Sequence, residues 1–202
     1  MTAKDITAQR YDRGMYALER AGISKLRRWL AAEARGDVLE IGTGTGANLG
    51  LYQPGTRVTA TDLEPKRLAG ATEKARQNGH GRIAILACAD AQDLPFPDDA
   101  FDTVLGTLVF CSIKQPEVAL AEVKRVLRPD GRFLLLEHVR GQTPFTRRLT
   151  DWLHPAWFAL QGSCHLNRET ASAVTTAGFQ LDHVSTHGRG LLQLIIASPT
   201  PQ

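Results

Sequence analysis

Short apolar runs alternate with helical segments through most of the chain, and this alternation restricts the fold more than any other feature. The apolar runs have strand-like length and content: DVLEI (37–41), RVTATD (57–62), RIAILACAD (82–90), FDTVLGTLVF (101–110) and RFLLLEHV (132–139). Three segments between them, at 46–52, 64–79 and 115–131, have helical spacing or helix-starting residues. Such alternation predicts an α/β fold in which a doubly wound parallel sheet is covered on both faces.

The two ends of the chain depart from this alternation. Residues 5–34 predict two helices broken near Gly22, and residues 143–178 are mostly helical. Two last strands, FQLDHVST (179–186) and LLQLIIAS (191–198), are joined by HGRG, which is too short to hold a crossover helix. We therefore expect a Rossmann-like sheet of seven strands, mostly parallel, with a C-terminal antiparallel hairpin.

Composition and charge exclude several classes of protein. The formal net charge of +3 is small and its basic residues are spread out, so we expect no nucleic-acid partner. No apolar run approaches the ~20 residues of a membrane span, and the first residues lack a signal-peptide pattern. Cys88, Cys111 and Cys164 are too few and too scattered for a disulfide framework or a metal motif. We expect a cytoplasmic protein without a metal.

The stretch DVLEIGTGTGANL ends a strand with an acid and a glycine-rich turn. Gly42, Gly44 and Ala47 satisfy the G-x-G-x-x-G/A pattern, and Asp62 follows at a distance typical of a ribose-binding acid. A dinucleotide would bring an anionic pyrophosphate to Glu40, and two like charges ~4 Å apart repel by about 4 kcal/mol. A cationic donor such as S-adenosylmethionine would be attracted instead. The alternative for Glu40 is that it caps the glycine loop through backbone N–H groups.

Acids follow three successive strands of the predicted sheet. Glu40, Asp62 and Asp90 would lie at one edge, where ligands bind in folds of this type. Asp62 is suited to the two ribose hydroxyls, and Asp90 to the adenine amino group beside the backbone of Ala91. Any one of these acids could instead be a helix cap, but three in order favour a nucleoside site.

Four motifs carry a family resemblance: LEIGTGTGANL, VTATDLEP, ADAQDLPFPDDAFDTV and LVFCSIKQPEVALAEVKRVLRPDGRFLLLEHV. In this order and spacing the chain resembles the class I S-adenosylmethionine-dependent methyltransferases over nearly its whole length. The resemblance implies one domain, 1–202, composed of a helical cap (1–34), a donor-binding core (35–141), a helical acceptor lid (142–178) and the hairpin (179–202). It implies donor-binding residues Tyr11, Glu40, Gly42, Thr43, Gly44, Gly46, Asn48, Asp62, Leu63, Asp90, Ala91, Thr107 and Leu108.

A narrower resemblance concerns the acceptor. VFCSIK, EHV and LHPAWFALQGSCHLNRETASAVTTAGF resemble the branch that includes the thiol S-methyltransferases of animals. This implies a small, fairly apolar acceptor, with a thiol as first choice. The alternatives are N-methylation of a phospholipid headgroup, for which the 144–160 segment would contact a membrane surface, and C- or O-methylation of a quinone or phenol. A non-catalytic donor-binding protein and a dinucleotide oxidoreductase are more distant alternatives.

A thiol of pKa about 8.5 needs only modest help to become a thiolate, and a neutral imidazole suits this task. The candidate bases are His154, then His138, then His165. Each could instead be a structural histidine bonded to backbone near a helix end. Asp151 could orient His154 or be a surface acid.

Aromatic and sulfur-containing residues complete the predicted acceptor site. Trp152, Trp157 and Phe158 are expected to line the lid over the pocket, or else to pack it on the core. Cys111 follows the fourth strand near the expected methyl site, where it contacts substrate or simply fills space. Asn167 is expected to cap the helix that follows it.

Overall fold

The computed structural model describes residue 16 and residues 19–77, 83–161 and 164–201. After a π-helical turn, Glu19–Ile23, the helices are α1 (Ser24–Glu33), α2 (Pro65–Gln77), α3 (Pro116–Val126), α4 (Pro144–Gln161) and α5 (Thr170–Thr176). The strands are β1 (Asp37–Ile41), β2 (Arg57–Asp62), β3 (Ile83–Cys88), β4 (Phe101–Thr107), β5 (Leu127–His138), β6 (Phe179–His187) and β7 (Leu192–Pro199). Tyr11, expected to close over the donor, lies outside the described residues.

The seven strands form one sheet in the order β3-β2-β1-β4-β5-β7-β6. Strands β1 to β5 pair in parallel, whereas β7 runs antiparallel to both β5 and β6. The predicted mixed sheet and its hairpin are therefore confirmed. The chain order reverses between β1 and β4, which is the position where open α/β sheets have the crevice that binds ligands.

Alternate side chains of the strands build a separate core on each face of the sheet. On one face Leu39, Phe133 and Leu135 pack with residues of α3 and α5. On the other face Val38 and Leu134 pack with residues of α1 and α2. Period-two alternation within β1 and β5 thus explains why these short, continuously apolar strands are covered on both sides.

The glycine-rich segment after β1 does not begin a helix, and this part of the prediction is wrong. Its backbone bonds span three residues: Gly46 N–H to Thr43 O at 2.9 Å and Leu51 N–H to Asn48 O at 2.8 Å. Gly46, the first residue of the predicted helix, has a φ of 82°, in the left-handed region that a right-handed helix cannot contain. The segment is therefore a series of turns that stays at the edge of the sheet.

Helix α3, which connects β4 to β5, is shorter than predicted. It ends at Val126, not near Pro129, because Leu127 already pairs with Phe101 at the start of β4. The predicted break at Gly22 agrees with its φ of 135° within the π-helical turn. Among the described residues, no helix combines the length and apolarity needed to cross a bilayer.

Candidate active site

The carboxyl edge of the sheet gathers most of the residues predicted to form a site. Glu40 lies near the end of β1, Asp62 ends β2, Thr107 ends β4 and His138 ends β5. Asp90 follows β3 by two residues. Strands that run in parallel bring these side chains to one edge although they are far apart in sequence.

The glycine turn leaves space at this edge. A Cβ atom at Gly44 would meet no atom within 4 Å, whereas one at Gly42 would come within 2.3 Å of Val109 Cγ2. Gly42 thus lets the loop after β4 approach closely, while Gly44 is bare on its open side. Thr43 Oγ1 is buried near Glu40 and makes no well-directed hydrogen bond among the described residues. The open glycine and this hydroxyl leave polar groups at the turn that a bound ligand could contact.

Glu40 is a buried acid in a hydrogen-bond network below this turn. It is 1% exposed, and its two oxygens accept from Tyr52 Oη at 2.5 Å and Asn48 Nδ2 at 3.0 Å. Burial raises the pKa of Glu40, although the bonds from Tyr52 and Asn48 oppose the rise. The Glu40 carboxyl group therefore holds side chains of the turn rather than its backbone N–H groups.

Arg27 is a site residue that the sequence analysis missed. It lies in α1 with 7% exposure and forms an ion pair with Glu19 at 2.9 Å. Its guanidinium donates to Asn48 Oδ1 at 3.2 Å and to the Thr107 hydroxyl. Asn48 Nδ2 also donates to Thr107 Oγ1 at 3.0 Å. Arg27 therefore joins α1 to the turn after β1 and to the end of β4. An arginine on an apolar helix face is the feature of the sequence that could have indicated this role.

Asp62 connects the glycine turn to the start of α2. Its carboxylate accepts from Gly44 N at 2.8 Å and from Glu64 N at 2.9 Å. The side chain is buried, whereas the adjacent Leu63 is 59% exposed at the same edge. Asp62 thus fixes the glycine turn against the residues that precede α2, in the position where ribose recognition is predicted.

Asp90 and Ala91 form a tight turn after β3. The Asp90 carboxylate accepts from Gln92 N at 2.9 Å and from Gln92 Nε2 at 3.1 and 3.2 Å, while Ala91 is buried. Gln92 Oε1 in turn accepts from Gln115 N at 2.9 Å. The structure therefore brings the three predicted acids to one edge, and each already fixes a neighbouring loop.

The loop after β4 is held by a second acid that the sequence analysis did not single out. Glu137 is 0% exposed. Its Oε1 accepts from the N–H groups of Val109 and Phe110, each at 2.9 Å, and its Oε2 accepts from Cys111 N at 3.1 Å. Burial raises the pKa of Glu137, and these three bonds counteract the rise. Leu108, with φ of 56°, turns the chain into this loop.

The segment before α5 clamps the same loop from the lid side. His165 N–H donates to Cys111 O at 2.8 Å. Arg168 donates to the carbonyl oxygens of Phe110 and Ile113. The predicted cap is wrong, because Glu169, not Asn167, occupies the N-cap position of α5 and makes no side-chain cap bond. The segment is positioned by Arg168 instead.

Two of the candidate histidines form a pair in the lid. His154 Nε2 and His165 Nδ1 are 3.0 Å apart, and the His154 ring also stacks on Phe158 with centroids 5.9 Å apart. Burial, then the nearby Arg168 and His154, lower the pKa of His165. Asp151 forms an ion pair with Arg140 at 2.6 Å. The arginine rather than His154 is therefore its hydrogen-bond partner.

The aromatic residues of α4 divide between the lid interior and solvent. Trp157 is half-buried and its Nε1 is a buried atom without a well-directed partner in the described part of the chain. Phe158 contacts His165 with ring centroids 4.9 Å apart. Trp152 is 77% exposed, so the prediction that it lines the acceptor pocket is wrong. A helix presents residues five apart on different faces, which explains the difference between Trp152 and Trp157.

Two of the three cysteines lie close together in space, although the sequence predicts cysteines too few and too scattered for a disulfide framework or a metal motif. Cys111 Sγ and Cys164 Sγ are 3.5 Å apart, and both sulfurs lie within 4.8 Å of a ring nitrogen of His138. The Cys111 thiol, with help from His138 and Trp157, lowers the pKa of Cys164 to about 4 despite partial burial. The same contact, followed by burial, raises the pKa of Cys111. Cys88 is exposed and outside this group.

Comparison with known proteins identifies the family. Residues 39–135 match the Methyltransferase domain family. Human thiol S-methyltransferase TMT1A is 34% identical over 182 residues, covering 86% of this chain and 73% of that protein. Phosphatidylethanolamine N-methyltransferase of Cereibacter sphaeroides is 38% identical over 103 residues, 51% of each chain.

A solved structure shows the same fold independently of sequence. The YcgJ protein from Bacillus subtilis superposes with a TM-score of 0.72 at 17% identity, covering 91% of this chain and all of that one. The glycine turn and the acids Glu40, Asp62 and Asp90 fall within the residues that match the Methyltransferase domain family. The chain belongs to the class I S-adenosylmethionine-dependent methyltransferases and is an enzyme that methylates a small molecule with S-adenosylmethionine as donor.

Proposed function

We propose that this enzyme S-methylates a small, fairly apolar thiol. The observation that carries the proposal is the extent of the similarity to human thiol S-methyltransferase TMT1A, which covers 86% of the chain. The family match, in contrast, covers residues 39–135 alone. The similarity to thiol methyltransferases therefore extends beyond the donor-binding core, and acceptor choice in this fold depends on such flanking segments.

The donor would be held by the residues that shape the crevice. We propose that the bare backbone at Gly44 and the Thr43 hydroxyl face the amino-acid part of the donor. Asp62 would bind its ribose, and Asp90 with Ala91 its adenine. Support comes from the open space at Gly44 and from the Thr43 hydroxyl, which makes no well-directed hydrogen bond among the described residues. When bound, the donor supplies an electrophilic methyl group on a sulfonium.

The lid offers a base for a thiol. Because burial lowers the pKa of His165, its imidazole is neutral near pH 7 and can share an incoming proton with His154, 3.0 Å away. A thiol of pKa about 8.5 is only partly ionised at that pH, so one neutral imidazole is enough to raise the thiolate fraction. His138, the second candidate, lies among the cysteines instead.

A methyl-transfer assay tests the proposal. Deuterium-labelled S-adenosylmethionine is supplied with aliphatic thiols, aryl thiols, phenols and vesicles containing phosphatidylethanolamine, and labelled products are identified by mass spectrometry. We expect labelled thioethers from the apolar thiols. Transfer to phenols or headgroups with none to any thiol would contradict the proposal.

Substituting the base gives a second readout. We expect His165→Gln to reduce the rate about 100-fold at pH 7 and much less at pH 9, where the free thiol ionises without help. His183→Gln is the matched control, because this exposed histidine of the edge strand β6 contacts the Trp29 ring of α1. An equal loss at both pH values would show that His165 does not act as a base.

Headgroup methylation is a second candidate because α4 carries features suited to an anionic lipid surface. Phe145 and Trp152 are 75% and 77% exposed, and with Leu149 they follow helical spacing along one face. Beside them Arg147 and Arg148 line an open groove of about 410 Å³. Sedimentation with anionic vesicles tests this candidate, and wild-type protein that stays in the supernatant would exclude it.

A further inference from the structure

The sulfur and nitrogen atoms between the loop after β4, the end of β5 and the lid form a compact ligand set. Cys111 is 1% exposed, while His138 and Cys164 are half-buried. Their Sγ and ring nitrogen atoms all lie within 4.8 Å of one another. These residues come from three separate segments that meet at the carboxyl edge of the sheet, beside the lid histidines.

The spacing of the two sulfurs matches the edge of a metal tetrahedron. With Zn–S bonds of about 2.3 Å and tetrahedral angles, two thiolate ligands are separated by about 3.8 Å, and Cys111 Sγ and Cys164 Sγ are 3.5 Å apart. A disulfide bond would need about 2.05 Å. The two thiols are therefore placed to share a small ion without large movement of either segment.

The nitrogen ligand is also available. His138 Nδ1 is a buried atom without a well-directed hydrogen-bond partner in the described residues. A metal-bound imidazole uses the lone pair of one nitrogen, and a ring nitrogen of His138 lies within 4.8 Å of both sulfurs. Backbone contacts fix the loops: Glu137 Oε2 accepts from Cys111 N at 3.1 Å and His165 N–H donates to Cys111 O at 2.8 Å.

We propose that Cys111, His138 and Cys164 bind a zinc ion whose fourth position is taken by the sulfur of the acceptor thiol. Two thiolates and one imidazole with an open position are a known ligand set of catalytic zinc, and soft sulfur ligands disfavour magnesium or calcium. This inference rests on the proposed thiol methylation, because it assigns the residues that select and activate that acceptor.

The chemistry balances without an oxidant or reductant. Binding of the acceptor R–SH to zinc as a thiolate releases one proton to solvent. The thiolate sulfur gives an electron pair to the methyl carbon, the bond from that carbon to the sulfonium sulfur breaks, and S-adenosylhomocysteine leaves as a neutral thioether. The methylated product no longer has a thiolate, so it is a weak ligand and dissociates.

Metal binding can be measured without any assay of activity. The full chain is purified under reducing conditions, loaded with zinc, desalted and analysed by mass spectrometry for zinc per chain. Cobalt(II) replaces zinc in a parallel sample, since thiolate–cobalt charge-transfer bands report sulfur ligands directly. We expect about one zinc per chain, and cobalt bands that change when an apolar thiol is added.

Substitutions identify the ligands. We expect Cys164→Ser, Cys111→Ser and His138→Gln each to weaken zinc binding by at least about 100-fold. Cys88→Ser is the matched control, because this exposed cysteine lies outside the cluster, and it should retain the zinc. Titration with S-adenosylhomocysteine checks that each variant is folded. If the variant of buried Cys111 does not fold, the variant of half-buried Cys164 still tests the ligand set.

The outcomes separate this inference from the proposed function. Wild-type protein that binds no zinc or cobalt, or that loses its metal equally in the Cys88 variant, overturns the metal site. Metal binding with cobalt bands unaffected by thiols overturns the activation role. Thiol methylation that is unchanged by metal removal overturns the inference while the proposed function stands. If the protein binds zinc and thiols but transfers no methyl group, the metal site is supported and the proposed function is contradicted.

Discussion

Glu137 provides a quantitative test of how the loop after β4 is held. In Glu137→Gln, the amide oxygen can still accept from Val109 and Phe110, whose N–H groups lie 2.9 Å from Oε1. The amide NH2 must then face the Cys111 N–H group, which donates to Oε2 at 3.1 Å. One buried donor loses its acceptor, which costs about 1–3 kcal/mol.

Removal of the buried charge recovers part of this loss. Burial raises the pKa of Glu137, so its carboxylate is less favourable in the fold than in water and a neutral amide avoids that cost. We therefore expect a net loss of about 1–2 kcal/mol in the free energy of unfolding at pH 7. Glu137→Ala, which leaves all three donors unsatisfied, should lose about 3 kcal/mol or more.

Urea unfolding followed by circular dichroism measures these differences. Glu33→Gln is the control, because Glu33 forms a partly exposed ion pair with Arg132 at 3.2 Å and should change the free energy of unfolding by less than about 0.5 kcal/mol. If Glu137→Gln were as stable as this control, the three bonds would not restrain the loop, and the account of its geometry would be wrong.

Three further predictions concern the donor edge. Gly44→Ala should cost about 1–2 kcal/mol of stability and weaken S-adenosylhomocysteine binding at least ~10-fold by calorimetry. The control Gly55→Ala, with φ of 92° and equally open surroundings, should lose stability without a loss of binding. Equal binding by both variants would contradict this prediction. Arg27→Gln should lower the free energy of unfolding by about 3 kcal/mol in urea, because it leaves buried partners of the guanidinium unpaired. A loss below about 0.5 kcal/mol would contradict the role of Arg27 in holding Asn48 and Thr107. The pKa of Glu40 is raised in the fold, so the contribution of Glu40 to stability is full below the unfolded value of 4.5 and is lost as the pH rises through the folded pKa. In urea unfolding, the free energy of unfolding of wild type should therefore exceed that of Glu40→Gln by more at pH 5 than at pH 8. A difference that stays constant with pH would refute the shift.

Much of the fold followed from local patterns in the sequence. Strand-length apolar runs and the short turn HGRG predict the mixed sheet, since both depend on residues close in the chain. The acids Glu40, Asp62 and Asp90 were also predictable, because parallel strands bring their carboxyl ends together. The segment 46–52 was predicted to be a helix, since spacing alone does not reveal that Gly46 adopts a positive φ.

The features that could not be predicted depend on contacts between distant segments. Glu137 reads as the end of an apolar strand, and its bonds to the loop after β4 arise only when β4 and β5 pair. Cys111 and Cys164 are 53 residues apart and meet only because Arg168 and His165 dock the lid on that loop. The exposure of Trp152 likewise depends on which face of α4 packs, and composition carries no information on that choice.

The central claim is that the methyl donor binds at the carboxyl edge of the sheet beside the glycine turn and Asp62, and calorimetric titration with S-adenosylhomocysteine tests it most directly. Wild type and Asp62→Ala are compared with the control Asp130→Ala at one pH and salt concentration. Asp130 is an exposed acid near the start of β5, at the amino edge of the sheet. We expect the Asp62 variant to bind at least ~10-fold more weakly, since hydrogen bonds to a charged group contribute about 1.5–3 kcal/mol, and the Asp130 variant to bind like wild type. Equal affinity in all three proteins would contradict the claim.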